Sequence, residues 1–269
     1  MPPKEDAVEA KSEISRRRFL KTAVVGVAGA GVGILFSDGI LRAVGAAKPD
    51  PRVDVAAPRD WVMLIDLQKC DGCKKCTEAC SAEHFVPPGQ EWIKVYDVQD
   101  EYGHHTYLPR PCMHCTYAPC QKVCPVGATF RKDDGVILVD HDRCIGCRYC
   151  MAACPYDVRA FNWTEPPHTP EELAHTYRPE APWPHRRGVV EKCMFCAHES
   201  EVGKLPVCVQ ACTKEMGNGA IYFGDRREDA VSNGVETISL SKTLREKQGF
   251  RLKEELGTEP HVWYLPARR

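Results

Sequence analysis

The strongest structural signal in this chain is the stretch CIGCRYCMAACP at residues 144–155. Its four cysteines are separated by two, two and three residues. The other cysteines of the 269-residue chain form three further groups of four, so that none of the 16 is left over. In chain order, the four quartets are Cys70, Cys73, Cys76, Cys80; Cys112, Cys115, Cys120, Cys124; Cys144, Cys147, Cys150, Cys154; and Cys193, Cys196, Cys208, Cys212. Four metal centres, each with four cysteine ligands, would therefore account for the whole cysteine content.

Three kinds of chemistry consume cysteines on this scale, namely disulfides, structural zinc and iron–sulfur clusters. Disulfides need no fixed quartets, and a zinc ribbon needs two CxxC pairs separated by a longer stretch. The first and third quartets instead have the CxxCxxCxxxC run of bacterial ferredoxins, and the other two keep its ends and lengthen its middle. The spacing therefore predicts four 4Fe-4S clusters, with all 16 cysteines as iron ligands. A single cluster could serve only to stabilise the fold, but four clusters in one chain favour a role in electron transfer.

The charge balance and the remaining motifs exclude other classes of protein. The chain has 36 Lys and Arg against 37 Asp and Glu, which argues against a nucleic-acid partner. Its hydrophobic content of 43% argues against disorder. The sequence has no P-loop, no serine elbow and no convincing acid–base pair, and a cluster held by four thiolates has no open iron for a substrate. We therefore expect a non-catalytic protein.

Residues 1–47 have the features of an export signal. Ser15-Arg16-Arg17-Arg18-Phe19-Leu20-Lys21 matches a twin-arginine pattern, and the apolar stretch Ala23–Phe36 follows it. That stretch has 14 residues, whereas a membrane-spanning helix needs about 20. The pattern favours a signal segment, with a retained anchor or a chance basic patch as the alternatives. Twin-arginine export of a folded protein would also protect cluster ligands from forming disulfides in an oxidising compartment.

Apolar runs and turn residues predict mostly short elements. We expect strands or hairpin arms at 61–67, 92–98, 104–108, 129–131, 136–139 and 220–223, and an extended tail at 262–265. Only a short helix fits after each fourth cysteine, and Ser239–Glu255 is compatible with one amphipathic helix. The proline-rich stretch Phe161–Val190 predicts an irregular insertion on the surface.

The repeated quartets predict an α+β fold of two pseudo-symmetric bacterial-type ferredoxin units, one nested in the other. The predicted boundaries, after a signal region at 1–47, place one four-cluster domain at 48–269. Within it we expect an outer unit at 61–111 plus 191–238, an inner unit at 112–160, an insertion at 161–190 and a C-terminal extension at 239–269.

Several other side chains lie close to the quartets in sequence. We expect five histidines to lie at the surface or beside the ligands, because no cysteine is missing for a histidine to replace: His84, His104, His105, His114 and His198. Three arginines flank the third quartet and either balance cluster charge, face a partner or are solvated: Arg143, Arg148 and Arg159. Three tryptophans are candidates for partner contacts or for the core: Trp92, Trp163 and Trp183.

The order of the quartets, the motif at 146–156 and the endings Phe223-Gly224-Asp225 and Val262-Trp263-Tyr264-Leu265-Pro266 resemble one family. The chain is similar, over Trp61–Pro266, to the four-cluster iron–sulfur subunits of membrane-linked oxidoreductases. These include subunits of polysulfide, tetrathionate, thiosulfate and dimethyl sulfoxide reductases, of a sulfite-reduction-associated membrane complex and of some periplasmic hydrogenases. Thr213 departs from the family pattern, in which proline commonly follows the last cysteine.

In two-cluster ferredoxins the fourth cysteine of one run ligates the other cluster. Only a short hairpin separates Cys124 from Cys144, so the second and third quartets are expected to form one unit, and the first and fourth to pair around it as in the family. We call the expected ligand sets 1 to 4: Cys70, Cys73, Cys76 with Cys212; Cys193, Cys196, Cys208 with Cys80; Cys112, Cys115, Cys120 with Cys154; and Cys144, Cys147, Cys150 with Cys124. The alternative is that each quartet binds its own cluster.

The resemblance implies an exported electron-transfer subunit of anaerobic respiration. Such subunits relay electrons between an integral membrane subunit that handles quinone and a catalytic subunit, often a molybdopterin enzyme, or another redox partner such as a cytochrome. Family likeness places set 1 nearest the catalytic subunit and set 4 nearest the membrane subunit. The expected location is the periplasm or the outer face of the cytoplasmic membrane, reached through the twin-arginine machinery. The alternatives are a free soluble polyferredoxin, a hydrogenase-linked subunit, an enzyme or a structural metal protein.

Overall fold

The computed structural model describes residues 58–215 and 217–267, so the predicted export signal lies outside the described residues. The strands are β1 Trp61–Asp66, β2 Lys94–Gln99, β3 His105–Arg110, β4 Thr129–Arg131, β5 Ile137–Val139, β6 Ala160–Phe161, β7 Val190–Glu191, β8 Ile221–Asp225, β9 Ala230–Ser232, β10 Thr237–Ser239 and β11 Val262–Leu265. The helices are α1 Lys75–Glu83, α2 Pro119–Lys122, α3 Tyr149–Ala152, α4 Pro170–Leu173, α5 Ala197–Ser200, α6 Val207–Lys214 and α7 Leu240–Glu246, with a 3-10 helix at Glu254–Leu256.

A five-stranded sheet with the strand order β10-β9-β8-β1-β11 organises the chain. Strand β1 runs antiparallel to β8 and parallel to β11, and all six of its residues are buried. Because side chains alternate across a strand, Met63 and Ile65 pack in the larger core that contains most of the cysteines. Val62 and Leu64 face the opposite side, where Leu240 at the start of α7 covers them. The apolar side chains of β1 thus contribute to two hydrophobic cores, one on each face of the sheet.

In the described part of the chain, three two-stranded sheets supplement the five-stranded sheet, formed by β2 with β3, β4 with β5, and β6 with β7. The first two confirm the hairpins expected from the sequence. In the second, Gly135 has a φ of 85°, which explains why Asp133-Asp134-Gly135 is a strong turn signal.

The helices near the quartets begin earlier than the sequence predicts. Helix α1 contains both Cys76 and Cys80, and α6 contains both Cys208 and Cys212, so the helix leads up to the fourth cysteine rather than following it. The residues before α1 and α3, Lys74 and Arg148, both have left-handed backbone with a φ of 62°. This turn ends the loop of closely spaced cysteines and allows a helix to begin at once. In the described part of the chain, no helix is both long and apolar enough to span a bilayer.

Two predictions from the sequence are wrong. The region Ser239–Glu255 is not one helix: α7 ends at Glu246, the N–H of Gly249 bonds the carbonyl of Leu244, and Phe250 then pairs with Tyr264. The insertion 161–190 is not purely a surface feature, because Glu172, Trp183 and His185 are buried.

Candidate metal centre

All 16 cysteines lie in the described part of the chain, and every one is a free thiol. Ten of them are buried and the others are partly exposed. The arrangement of their sulfurs can therefore be compared directly with the ligand sets expected from the sequence.

Helices α1 and α6 bring the first and fourth quartets together. Burial and, after it, the charges of Cys212 and Cys70 together raise the pKa of Cys76 to about 12. Cys212 has the same effect on the pKa of Cys70 and of Cys73, after the larger effect of burial. The last cysteine of the fourth quartet thus lies beside the first three cysteines of the first quartet.

The reciprocal contact involves Cys80, the last cysteine of the first quartet. Burial raises its pKa well above the usual value, and Cys196 and Cys193 are the next largest causes. For Cys208, likewise, burial comes first and the charges of Cys196 and Cys80 follow. Cys80 therefore lies among the sulfurs of the fourth quartet.

The second and third quartets show the same relation. Burial, followed by the charges of Cys112, Cys120 and Cys154, raises the pKa of Cys115 to about 12. Cys154 belongs to the third quartet by sequence but lies beside the sulfurs of the second.

The remaining sulfurs line one small pocket. Its cysteine lining consists of Cys124, Cys144, Cys147 and Cys150. A single cavity thus brings together the last cysteine of the second quartet and the first three of the third.

The four sulfur groups also adjoin one another in a fixed order. Cys76 acts on the pKa of Cys80, which links sets 1 and 2. Cys112 acts on the pKa of Cys193, which links sets 2 and 3. Cys120 acts on the pKa of Cys150, which links sets 3 and 4. Each of these interactions joins one set to the next. The sulfurs therefore form a continuous series from set 1, which begins at Cys70, to set 4, which contains Cys144.

Backbone N–H groups point at several of the sulfurs. The N–H of Ala128 donates to Cys124 Sγ at 3.2 Å, and the N–H of Ala220 donates to Cys212 Sγ at 3.3 Å. Burial would raise the pKa of Cys124, but the combined N–H groups of residues 126–129 lower it below its usual value. Such N–H concavities stabilise negative charge on sulfur.

Two buried cations lie between the sulfur groups. Arg159 lies in the charge field of Cys120 and Cys150; burial lowers its pKa, but these sulfurs raise it above the usual value. Lys192 is buried beside Cys112 and Cys193, and its ammonium donates to the carbonyls of Ile137 and Cys193. Among the described residues, no carboxylate lies within 4.0 Å of either cation. Iron-bound thiolates of these cysteines would supply the negative charge that both cations lack.

Arg159 is among the arginines that the sequence marks as candidates for balancing cluster charge, whereas Lys192 is not predicted. The only local signal for Lys192 is its position directly before Cys193. Of the other two arginines, Arg148 stacks over the ring of Trp163 at 4.4 Å, whereas the guanidinium of Arg143 lies beside Gly127.

The five candidate histidines lie in three kinds of surroundings. His104 and His105 lie exposed on the β2–β3 hairpin, where they pair with Asp100 and Asp97. His84 is buried, with Nε2 only 3.2 Å from Cys196 Sγ. The other two lie in aromatic packing: the His114 ring stacks on Phe195 at 3.8 Å, and the His198 ring meets the Trp183 ring edge-on at 5.1 Å.

These observations fit 4Fe-4S clusters. Burial raises the pKa of most of the thiols whose pKa is shifted, so that bare thiolates would be costly, whereas iron coordination deprotonates a thiol outright. N–H groups and two buried cations compensate the resulting negative charge. The donor set is all thiolate and comes in fours, as such clusters require.

We expect about 16 iron and about 16 acid-labile sulfide per chain, because each cubane carries four of each. Anaerobic iron and sulfide assays on purified protein test this stoichiometry. About 12 iron per chain, or stoichiometric zinc, would contradict it.

Comparison with known proteins agrees with this site. Residues 69–128 and residues 104–169 each match a family model described as a 4Fe-4S dicluster domain. The chain is 42% identical to a selenate reductase subunit of Mesobacillus selenatarsenatis over 221 residues, covering 76% of this chain and 71% of that protein. It is 40% identical to the iron–sulfur cluster-binding subunit of menaquinone reductase of Nitratidesulfovibrio vulgaris, covering 77% and 89%. It is 36% identical to a tetrathionate reductase subunit of Salmonella typhimurium, covering 93% and 88%.

The dicluster matches and the 16 cysteines together give four 4Fe-4S clusters as the cofactors of this chain. Relatives of the chain are named as an iron–sulfur cluster-binding subunit of menaquinone reductase and as an electron transfer subunit of thiosulfate reductase. The chain belongs to the family of 4Fe-4S iron–sulfur subunits of reductase complexes.

Proposed function

We propose that this chain is the exported subunit that relays electrons between a quinone-interacting integral membrane subunit and a catalytic subunit of the molybdopterin type. The observation that carries the proposal is the continuous series of four adjoining sulfur groups. Each 4Fe-4S cluster, when bound, takes up and gives back one electron. A series of such centres is useful to a protein that joins two separated redox partners.

We further propose sets 1 to 4 as the ligand sets. The proximity of Cys212 to Cys70, Cys73 and Cys76 supports set 1. The position of Cys80 beside Cys196 supports set 2. The residues between ligands then have defined tasks: the backbone orients the sulfurs and donates N–H bonds to them, while Arg159 and Lys192 compensate their charge.

The surface around set 4 has the character of a docking face for the membrane subunit. Three large side chains beside the Cys144 loop are unusually exposed: Ile145 at 63%, Tyr149 at 64% and Trp163 at 63%. The guanidinium of Arg148 stacks on Trp163 and gives this apolar face a basic centre. Aromatic and arginine side chains are enriched where proteins meet, which suits a permanent partner.

Quinol-dependent reduction tests the proposal. We expect a menaquinol analogue to reduce the clusters in a complex purified anaerobically from membranes, and not to reduce the isolated chain at a comparable rate. The double variant Tyr149→Ser, Trp163→Ser should weaken binding of the membrane subunit about 30-fold or more, because losing even one aromatic anchor costs about 2 kcal/mol and each 1.4 kcal/mol is a factor of ten.

The matched control is Val235→Ser, which removes an even more exposed apolar side chain from the turn between β9 and β10. Equal rates for the complex and the isolated chain would instead favour a free soluble carrier. An unchanged affinity in the double variant would reject the docking face.

Export by the twin-arginine route is a separate part of the proposal. Changing Arg16 and Arg17 together to Lys should leave cluster-loaded protein in the cytoplasm, because that pathway reads the arginine pair. Cell fractionation with an iron assay measures the outcome. Normal export of the variant, or export of an unfolded chain without iron, would contradict this route.

A further inference from the structure

His84 makes a direct contact with a proposed cluster ligand. Its ring is buried, and Nε2 lies 3.2 Å from the Sγ of Cys196, which is a proposed ligand in set 2. The ring stacks on Trp92 with 5.3 Å between centroids and is tilted against Trp183 at 5.5 Å. Two tryptophans therefore restrict the ring and exclude water from this sulfur.

The direction of the hydrogen bond follows from the chemistry of its partners. An iron-bound thiolate has lost its proton and can only accept. The imidazole nitrogen facing it must then carry the hydrogen, so that Nε2–H donates to Cys196 Sγ. Nδ1 is left as the bare nitrogen of a neutral ring.

The insertion 161–190 holds His84 in place. The Nε2–H of His185 donates to the backbone carbonyl of His84 at 2.7 Å, across 101 residues of sequence. His185 is itself held by Glu191, 2.7 Å from its Nδ1, and by Glu172, which accepts its backbone N–H at 2.7 Å. The same insertion supplies Trp183. A segment that sequence analysis places on the surface therefore braces a buried N–H···S bond.

We propose that His84 tunes the reduction potential of the set 2 cluster, and that the insertion 161–190 is the cap that keeps it in position. The inference rests on the proposed electron relay and its ligand sets. A hydrogen bond to a ligand sulfur withdraws negative charge, which favours the reduced cluster because that form carries one more electron. His84 acts through Cys196 and raises the potential of this centre relative to a cluster without the bond.

The test is an EPR-monitored redox titration of the holoprotein. His84→Phe keeps a ring between the tryptophans and removes the N–H donor. One of the four midpoint potentials should fall by about 59 mV, equivalent to about a tenfold change in the one-electron reduction constant. His84→Gln, which retains an N–H donor, should recover part of the shift. Iron content should stay that of the unmodified protein.

The matched control is His175→Phe. His175 is exposed and contacts Phe85 and Trp183 in the same aromatic cluster, and it makes no hydrogen bond to a sulfur within the described part of the chain. Its replacement should leave all four potentials unchanged. Unchanged potentials in His84→Phe with full iron content, or the same shift in His175→Phe, would overturn the proposal.

A measurement on the unmodified chain covers the case in which His84→Phe fails to assemble the cluster. With isotopically labelled histidine, pulsed EPR of the reduced protein should detect coupling between one cluster and a histidine nitrogen through the N–H···S bond. Absence of that coupling would reject the role of His84. Failure of the electron relay is recognised separately, because quinol would then not reduce the complex even though the potential still depends on His84.

Discussion

Replacing Cys212 by Ser should alter the EPR spectrum of the cluster held by Cys70, Cys73 and Cys76 and leave the cluster of Cys193 with its four thiolates. The reason is geometric, since Cys212 contributes to the raised pKa of all three cysteines of the first run. An EPR-monitored redox titration of the reduced variant measures which centre changes. The effect should be large, because an all-thiolate cluster has no spare ligand among the 16 cysteines.

Cys208→Ser is the sharpest control, because Cys208 and Cys212 lie one turn apart on the same helix α6. The exchange of ligands predicts that Cys208→Ser alters the same centre as Cys80→Ser, whereas Cys212→Ser alters the same centre as Cys76→Ser. If the two α6 variants change one and the same cluster, each quartet binds its own cluster and the exchange is wrong.

Removing iron should lower the free energy of unfolding by several kcal/mol. Arg159 is buried among sulfurs, keeps its charge at every ordinary pH and has no carboxylate within 4.0 Å among the described residues. An unpaired buried charge costs about 3–5 kcal/mol, against a total folding stability of roughly 5–15 kcal/mol. Lys192 adds less, because it can lose its proton. Anaerobic chelation followed by denaturant unfolding, monitored by circular dichroism, measures the loss.

The variant Arg159→Met separates this charge effect from the general loss of metal ligation. Met has a similar length and no charge, so its apo form should lose about 3 kcal/mol less on chelation than the unmodified protein. Lys94→Met, at an exposed position on β2, serves as the control and should behave like the unmodified chain. Equal losses for Arg159→Met and the unmodified protein would show that the buried charge is unimportant.

Local features of the fold were predictable because they depend on neighbours in sequence. The hairpin around Gly135 follows from two aspartates and a glycine that adopts positive φ. The strand at Trp61–Asp66 follows from an apolar run bounded by polar residues. The exact start of the helices was not predictable, because it depends on the left-handed backbone of Lys74 and Arg148, a conformation that side chains of this type seldom adopt.

The insertion 161–190 shows where such reasoning fails. Its six prolines indicate irregular backbone, and in the structure this stretch contains only the short helix α4 and the ends of β6 and β7. Irregular backbone does not imply exposure, however. Trp183 and His185 are buried because they meet Trp92 and His84, residues about a hundred positions away whose proximity no local pattern encodes.

The cysteine spacing alone therefore specified the cofactor type and the number of ligands, since three cysteines within seven residues are confined to one loop whatever the rest of the chain does. Only the tertiary structure shows which fourth cysteine lies beside each loop. It also shows that Arg159 and Lys192 are buried near the sulfurs and that His84 faces Cys196. Those relations join residues that are distant in sequence. They arise from the packing of α1 on α6 and from the burial of the insertion, which depend on shape and burial across the whole core rather than on any short stretch.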